Sequence, residues 1–231
     1  MPQSLFTQST IAVIWDFDKT LTPDYMQGPL LRKFKVDEKT FWEETNGLTE
    51  YYRRGGTINI SHDSLYLNHI LAYVQAGIFA GLTNKLLLDL GAEIQFYEGL
   101  PAFFKSIKDM VAGRDEFARH GIAVEHYIVS TGLRQMILGS RIAQHVDGVW
   151  GCEFVEHLAK PGYLKEQAAL FGDGLIQGIG YALDNTTKTR ALFEINKGTN
   201  KLPDIDVKAS VAPEDRRIPF QNMIYIADGP E

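Results

Sequence analysis

Residues 11–20 read Ile-Ala-Val-Ile-Trp-Asp-Phe-Asp-Lys-Thr, an apolar run that stops at two carboxylates. The first five are continuously apolar and rich in β-branched side chains, as expected of a parallel strand that is covered on both faces. Two further runs have the same form: Tyr127–Val129 precedes Ser-Thr-Gly, and Met223–Ala227 precedes Asp-Gly-Pro. Because ligands of open α/β sheets bind beyond the carboxyl ends of the strands, we expect the three polar clusters to converge.

Helical patterns separate these strands. Pro101 stands at the predicted first turn of a helix whose apolar residues recur at helical spacing as far as Val111. Two shorter helices are predicted, one after residue 132 and one that begins near Thr186 or Thr187. Strands that alternate with helices predict βαβ units, and therefore an α/β fold with a parallel sheet flanked by helices.

The stretch from Pro23 to Phe96 is helical in pattern throughout. Asp37 and Thr83 are plausible N-caps for two of its helices. Apolar residues of another helix recur at i, i+3, i+4 and i+7, namely Leu67, Ile70, Leu71 and Val74. We therefore predict a helical domain over residues 23–96, inserted into a sheet domain that comprises residues 1–22 and 97–231.

Composition restricts the function classes. The chain has 231 residues, 45% hydrophobic and 23% charged, with 23 Lys and Arg against 29 Asp and Glu. These values are ordinary for a globular protein, and the net charge of −6 argues against a nucleic-acid or anionic-membrane partner. The sequence shows no signal peptide and no apolar run of bilayer length, and we expect its lone cysteine, Cys152, to lie in a buried strand. We therefore expect a cytoplasmic protein of unknown oligomeric state.

The carboxylates of Asp16 and Asp18 offer a definite chemistry. A carboxylate at a strand end can attack phosphorus and form an aspartyl-phosphate. A second carboxyl two residues on can protonate the leaving alcohol and later deprotonate the attacking water. The two carboxylates repel each other, and Mg²⁺ would relieve that repulsion. The alternative is a structural turn rich in Asp side chains.

The later polar clusters supply phosphate ligands. Ser130, Thr131 and Gly132 offer a hydroxyl and backbone N–H groups near a helix start, although an ordinary capped turn has the same sequence. Lys188 stands at the start of a predicted helix, where the helix dipole disfavours a cation, so we interpret it as a phosphate-neutralising residue. Lys197 is the second choice, and a solvated surface lysine is the alternative.

Asp228 follows the third strand. It is a candidate to complete a metal site with the carboxylate of Asp16 and the main-chain carbonyl of Asp18.

The order of these motifs resembles the haloacid dehalogenase-like superfamily, and in particular its phosphoserine-phosphatase-like branch, whose first motif reads D-F-D-x-T as residues 16–20 do. The resemblance implies a Rossmann-like core, a helical cap in the long first gap, Mg²⁺ dependence and hydrolysis of a small phosphorylated metabolite. By position, Asp16 matches the nucleophile and Asp18 the general acid/base. The remaining site residues that we expect are Thr20, Ser130, Thr131, Gly132 and Lys188 for the phosphate, and Asp16, Asp18 and Asp228 for Mg²⁺.

Asp18 favours a phosphatase over a dehalogenase, because a leaving alkoxide needs a proton and a halide does not. Two alternatives stay open: a phosphotransferase or mutase that uses the same residues, and a catalytically silent module that binds a phosphorylated ligand or a protein. The family's last motif usually carries a second acidic residue three to five positions after the first. Only Glu231 stands near that position, so we expect a chain truncated at its C-terminus.

The cap should select the alcohol that leaves. Phe41 and Trp42 are expected in the cap core, and none of the six histidines has a metal-ligand spacing. The candidate substrate contacts are Tyr25, Tyr51, Tyr52, Arg53, Arg54 and His62.

Overall fold

The computed structural model describes residues 8–57, 59–165, 174–202 and 206–229. Within these residues five strands form one sheet. In chain order they are β1 (Thr10–Trp15), β2 (Ala123–Leu133), β3 (Gly148–Val155), β4 (Gly178–Tyr181) and β5 (Met223–Ile226). The strands lie side by side in the order β4-β3-β2-β1-β5, and every neighbouring pair is parallel except β3 and β4. The predicted α/β fold is thus confirmed, with an antiparallel edge strand that the sequence did not reveal.

The interior strand β1, which lies between β2 and β5, brings distant parts of the chain to one edge. Its last residue, Trp15, lies opposite Ile128 of β2 and Ile226 of β5. The next residue, Asp16, donates its N–H to the carbonyl of Ile226 at 2.9 Å. The residues that follow these three strands therefore meet at the same edge of the sheet.

The second strand is longer than predicted. β2 continues through the Ser-Thr-Gly cluster to Leu133, and its pairing with β3 shifts register between Val129 and Leu133. Such an irregularity re-aims the side chains of the bulged strand, which is common beside active sites.

Eight α-helices occur in the described residues. Six lie between β1 and β2: α1 (Gly28–Lys33), α2 (Glu38–Arg54), α3 (Leu65–Gln75), α4 (Asn84–Gly91), α5 (Ala102–Ala112) and α6 (Asp115–Ala118). The others are α7 (Arg134–Gly139) and α8 (Lys188–Lys197). Both predicted N-caps are confirmed, since Asp37 accepts the N–H of Thr40 at 2.8 Å and Thr83 accepts that of Leu86 at 2.9 Å.

Apolar cores cover both faces of the sheet. The larger core joins Trp15 and its neighbours to the helices that follow β1, and the smaller one packs Ala191 and Ile195 of α8 onto the opposite face. Helix α4 approaches α7 so closely that a Cβ on Gly139 would lie 1.7 Å from the carbonyl oxygen of Leu88. This backbone contact joins the last helix of the 23–96 segment to the sheet domain.

The remaining described segments have the local structure that their sequence favours. Cys152 is buried in β3, as predicted. The described part of the proline-containing tract before β5 forms only 3₁₀ turns, at Pro213–Asp215 and Phe220–Asn222. Glu231 lies outside the described residues. No helix in the described ranges is both long and apolar enough to cross a bilayer.

Candidate active site

The loop after β1 turns sharply to present two carboxylates. Asp16 is only 6% exposed. Asp18 lies two residues further on, and its Oδ1 accepts the N–H of Met26 at 2.8 Å. Lys19 adopts a φ of 64°, which is unusual for a non-glycine residue and reverses the chain directly after Asp18.

Asp16 forms a buried ion pair with Lys188. The two residues are 172 positions apart, and Lys188 Nζ donates to Asp16 Oδ1 at 3.0 Å. Only 9% of the Asp16 side chain and 4% of the Lys188 side chain are exposed. A buried lysine at the first position of a helix is poorly placed against the helix dipole, so its location is explained by the carboxylate that it contacts.

The turn before α8 orients Lys188. Asp184 Oδ1 accepts the N–H of Thr187, and Thr187 Oγ1 accepts the N–H of Asp184, both at 2.7 Å. Thr187 stands at the predicted N-cap position, yet its side chain does not cap the helix. These hydrogen bonds lower the pKa of Asp184 and keep it ionised at the helix N-terminus.

Lys197 lies at the far end of α8. Its Nζ donates to the carbonyls of Val207 and Ala209 at 2.6 and 2.7 Å. Of the two lysines considered from the sequence, Lys188 is the one that contacts Asp16.

The Ser130–Gly132 cluster is held in a defined conformation. Ser130 is 1% exposed, and its Oγ accepts the N–H of Gly132 at 2.9 Å. The carbonyl of Thr131 accepts the hydroxyl of Tyr66, on α3, at 2.7 Å. Ser130 accepts a hydrogen bond here, and its own hydroxyl proton is available to a ligand oxygen.

Thr20, another expected phosphate residue, follows Asp18 by two positions in the loop after β1. Its buried hydroxyl has no hydrogen-bond partner within the described residues. The side chain lines a separate cleft together with Trp15 and Phe103.

The environment of Asp18 changes its protonation. Burial raises the pKa of Asp18 from 3.8 to about 7, and the charge of Asp16 acts in the same direction. The Met26 N–H opposes both effects because it stabilises the ionised carboxylate. Near neutral pH this carboxyl therefore exists in both forms, as a general acid/base requires.

A cavity of about 360 Å³ lies between the sheet edge and the helices that follow β1. Its lining from the sheet domain includes Asp18, Thr131, Gly132 and Asn185. The other wall is formed by the 23–96 segment: Tyr25, Gln27, Trp42, Thr45, Asn46, His62, Asp63 and Tyr66. This volume suits a small ligand.

Hydrogen bonds hold the two walls together. The Tyr66 hydroxyl reaches the sheet domain at Thr131, and the N–H of Asn185 donates to Asp63 Oδ2 at 3.1 Å. Asp63 belongs to a 3₁₀ turn, His62–Ser64, that leads into α3.

The structure separates the candidate contacts of the 23–96 segment. Tyr25 and His62 line the cavity, but Tyr51, Tyr52, Arg53 and Arg54 do not. Phe41 is fully buried in the core, as predicted. Trp42 packs against the same core, as predicted, and it also lines the cavity.

Sequence reasoning missed the partners of Trp42. Thr45 and Asn46 follow it at i+3 and i+4, and all three line the cavity from one face of α2. A polar stripe beside a tryptophan was the available signal. Gln27, beside the N-terminus of α1, carried no comparable pattern.

The candidate metal ligands lie at the ends of β1 and β5. Asp228 is exposed and stands two residues beyond Ile226, to whose carbonyl Asp16 donates its N–H. Across the ranges that the structure describes, no three His, Cys, Asp or Glu side chains group closely enough to hold a metal ion. The carboxylates of Asp16 and Asp228 and the main-chain carbonyl of Asp18 are hard oxygen donors, the kind of ligand that Mg²⁺ takes together with several waters.

Comparison with known proteins places this chain among relatives. No family model matches it. Over 222 residues it is 39% identical to an uncharacterized protein from Borreliella burgdorferi, in an alignment that covers 96% of this chain and 75% of that one. The two proteins belong to one family.

Solved structures identify the fold. A HAD family hydrolase from Salmonella enterica serovar Typhi aligns over 97% of this chain with a TM-score of 0.54 and 14% identity. This chain spans little more than half of that protein, 57% of its length. A phospho-aspartyl intermediate analogue of phosphoserine phosphatase aligns over 86% of this chain and 74% of its own, with a TM-score of 0.44 and 16% identity. The alignment with the HAD family hydrolase shows that this chain has the haloacid dehalogenase-like fold.

Proposed function

We propose that this protein is a Mg²⁺-dependent phosphatase that hydrolyses a small phosphomonoester through an aspartyl-phosphate on Asp16. The observation that carries the proposal is the buried contact between Asp16 and Lys188, at the sheet edge where Asp18 lines a cavity. Desolvation opposes the burial of a carboxylate and an ammonium group together, so a buried pair beside a cavity supports a functional role for both groups.

In the first step, Asp16 acts as the nucleophile. One carboxylate oxygen attacks phosphorus, the bond from phosphorus to the substrate oxygen breaks, and the departing alkoxide takes the proton of Asp18. The pKa of about 7 lets Asp18 carry that proton at neutral pH. Lys188 holds the Asp16 carboxylate in place and offsets the negative charge of the phosphoryl group.

In the second step, Asp18 acts as a base. Its carboxylate, now ionised, removes a proton from water, and the resulting hydroxide attacks the aspartyl-phosphate. The acyl-phosphate bond breaks, inorganic phosphate leaves and Asp16 regains its carboxylate. The Ser130 hydroxyl and the backbone of the Thr131–Gly132 segment would bind the phosphoryl oxygens in both steps.

Mg²⁺ would be held by the carboxylates of Asp16 and Asp228 and by the main-chain carbonyl of Asp18. When bound, it neutralises phosphate charge and relieves the repulsion between neighbouring carboxylates.

We assign residues 23–96 to a cap that excludes water and contacts the leaving alcohol. The support is the position of α2 and α3 over the cavity, together with two hydrogen bonds to the sheet domain: Tyr66 donates to the carbonyl of Thr131, and Asp63 accepts the N–H of Asn185. An enclosed site strengthens every electrostatic interaction inside it.

Turnover of an aryl phosphate with and without Mg²⁺ tests this function. We expect release of inorganic phosphate that requires the metal, and a loss of at least about a thousandfold in kcat for Asp16→Asn, because the nucleophile is removed. Undiminished activity of that variant would overturn the proposal. Adding a competing alcohol distinguishes hydrolysis from phosphotransfer, since a phosphotransferase would form a new phosphomonoester.

A further inference from the structure

The lining of the cavity carries information about the alcohol that leaves. Among the described lining residues, the formally charged ones are Asp18 and Asp63, and none is Lys or Arg. A carboxylate on the alcohol would therefore meet two acidic side chains and no lysine or arginine among these residues. This charge pattern disfavours an amino-acid phosphate such as phosphoserine.

Two polar atoms of the lining residues have unmet hydrogen-bonding capacity. Gln27 is 2% exposed, and its Oε1 has no partner within the described residues. The Nε1 of Trp42 is also buried without a partner there. One atom accepts and the other donates, and both are already desolvated, so a ligand that binds them relieves an existing free-energy cost.

A hydroxyl group meets both requirements, because it donates one hydrogen bond and accepts others. A quaternary ammonium meets neither, and a primary ammonium can only donate. The rest of the lining is uncharged: Thr45 and Asn46 supply further donors and acceptors, and the rings of Tyr25 and Trp42 pack with centroids 5.0 Å apart. Aromatic walls with a few placed polar groups are typical of a pocket for a small neutral ligand.

We infer that the substrate is the phosphate ester of an uncharged polyhydroxy alcohol, such as a sugar or glycerol phosphate, with its hydroxyls bound by Gln27 and Trp42. The inference rests on the phosphatase function proposed above, and names the substrate class of that same site.

A panel of phosphate esters tests the inference on the unmodified protein. It comprises a hexose phosphate, glycerol phosphate, phosphoserine, phosphoethanolamine, phosphocholine and an aryl phosphate, each assayed with Mg²⁺. We expect kcat/KM for the better of the two polyol phosphates to exceed the values for phosphoserine and for both amino-alcohol phosphates by at least about tenfold, the effect of one or two hydrogen bonds.

Two variants connect that preference to the residues. Gln27→Met removes the acceptor, and Trp42→Phe removes the donor but keeps a ring. Each should lower the ratio of kcat/KM for the polyol phosphate to that for the aryl phosphate about fivefold to tenfold, mainly through KM. Tyr51→Phe, on the exposed side of α2, is the matched control and should leave the ratio unchanged.

The outcomes separate the two proposals. Turnover of the aryl phosphate combined with a preference for phosphoserine or an amino-alcohol phosphate refutes the inference alone, and so does an unaltered ratio in both variants. Absence of turnover with every ester, including the aryl phosphate, refutes the phosphatase function and the inference with it.

Discussion

The buried pair of Asp16 and Lys188 should behave as an energetic unit. At 3.0 Å and an effective dielectric constant near 20, Coulomb's law gives an attraction of about 5 kcal/mol. Removing one partner leaves the other charge buried, so Asp16→Asn and Lys188→Met should each lower the free energy of unfolding by about 3–5 kcal/mol. That loss is a large fraction of the 5–15 kcal/mol typical of a domain.

The double variant Asp16→Asn/Lys188→Met is the critical measurement. It buries no charge at this position, so it should be more stable than either single variant, with a coupling energy of at least about 3 kcal/mol. Urea unfolding followed by tryptophan fluorescence, without divalent metal, measures all four proteins. Single losses that simply add in the double variant, with coupling below about 0.5 kcal/mol, would refute the reasoning. All three variants should be inactive, including the double variant that regains stability.

Three other perturbations test separate parts of the site. Burial raises the pKa of Asp18 in the folded protein to about 7, so the contribution of this carboxyl to stability is complete below pH 4 and is lost as the pH rises through 7. Without metal, urea unfolding should show that the unmodified protein loses roughly 2–3 kcal/mol between pH 5 and pH 8 relative to Asp18→Asn. Tyr66→Phe removes the hydroxyl that joins α3 to the sheet domain, and should lower the unfolding free energy by about 1 kcal/mol and reduce kcat/KM. In Gly132→Ala the new Cβ would lie 2.2 Å from Met26 Cε, so thermal unfolding should show a free energy of unfolding lower by about 1–3 kcal/mol. In Gly47→Ala, on α2, the new Cβ meets nothing within 4 Å, so the free energy of unfolding should rise by about 0.5–1 kcal/mol.

Each of these predictions has a contrary result. If the unmodified protein instead gained stability relative to Asp18→Asn as the pH rises, the folded protein would hold this carboxyl ionised. If Tyr66→Phe left stability and activity unaltered, the hydroxyl of Tyr66 would not link the two walls of the cavity. Equal effects of the two alanine substitutions would show that close packing at Gly132 does not matter.

The local patterns of the chain were sufficient for much of the architecture. The run from Ile11 to Trp15 is apolar at every position, which is the signature of a strand covered on both faces, and the structure places it inside the sheet, between β2 and β5. The caps at Asp37 and Thr83 were readable because a short polar side chain before a helix has a specific hydrogen-bonding role. Such features depend on neighbours in sequence, and so they are visible without the fold.

Beyond a buried strand at Cys152, the extent of β3 and the existence of β4 could not be predicted from the sequence. Gly148 and Gly151 interrupt the apolar pattern of β3, and glycine normally weakens a strand. Tertiary packing explains the glycine at position 151, since a Cβ there would lie 2.9 Å from the main-chain nitrogen of Arg134. β4, Gly178–Tyr181, has only four residues, and its antiparallel direction depends on the route of the chain before it.

The sequence by itself determined the chemistry that this protein has available: two carboxylates after a buried strand, a Ser-Thr-Gly cluster and a misplaced helix-start lysine. Only the tertiary structure decided which of these groups meet. Contact between Asp16 and Lys188 closes a loop of 172 residues, and Trp42 lines the cavity as well as packing against the core. The physical reason is that spacing along a helix or strand specifies which face a side chain shares, whereas packing between elements specifies what that face touches.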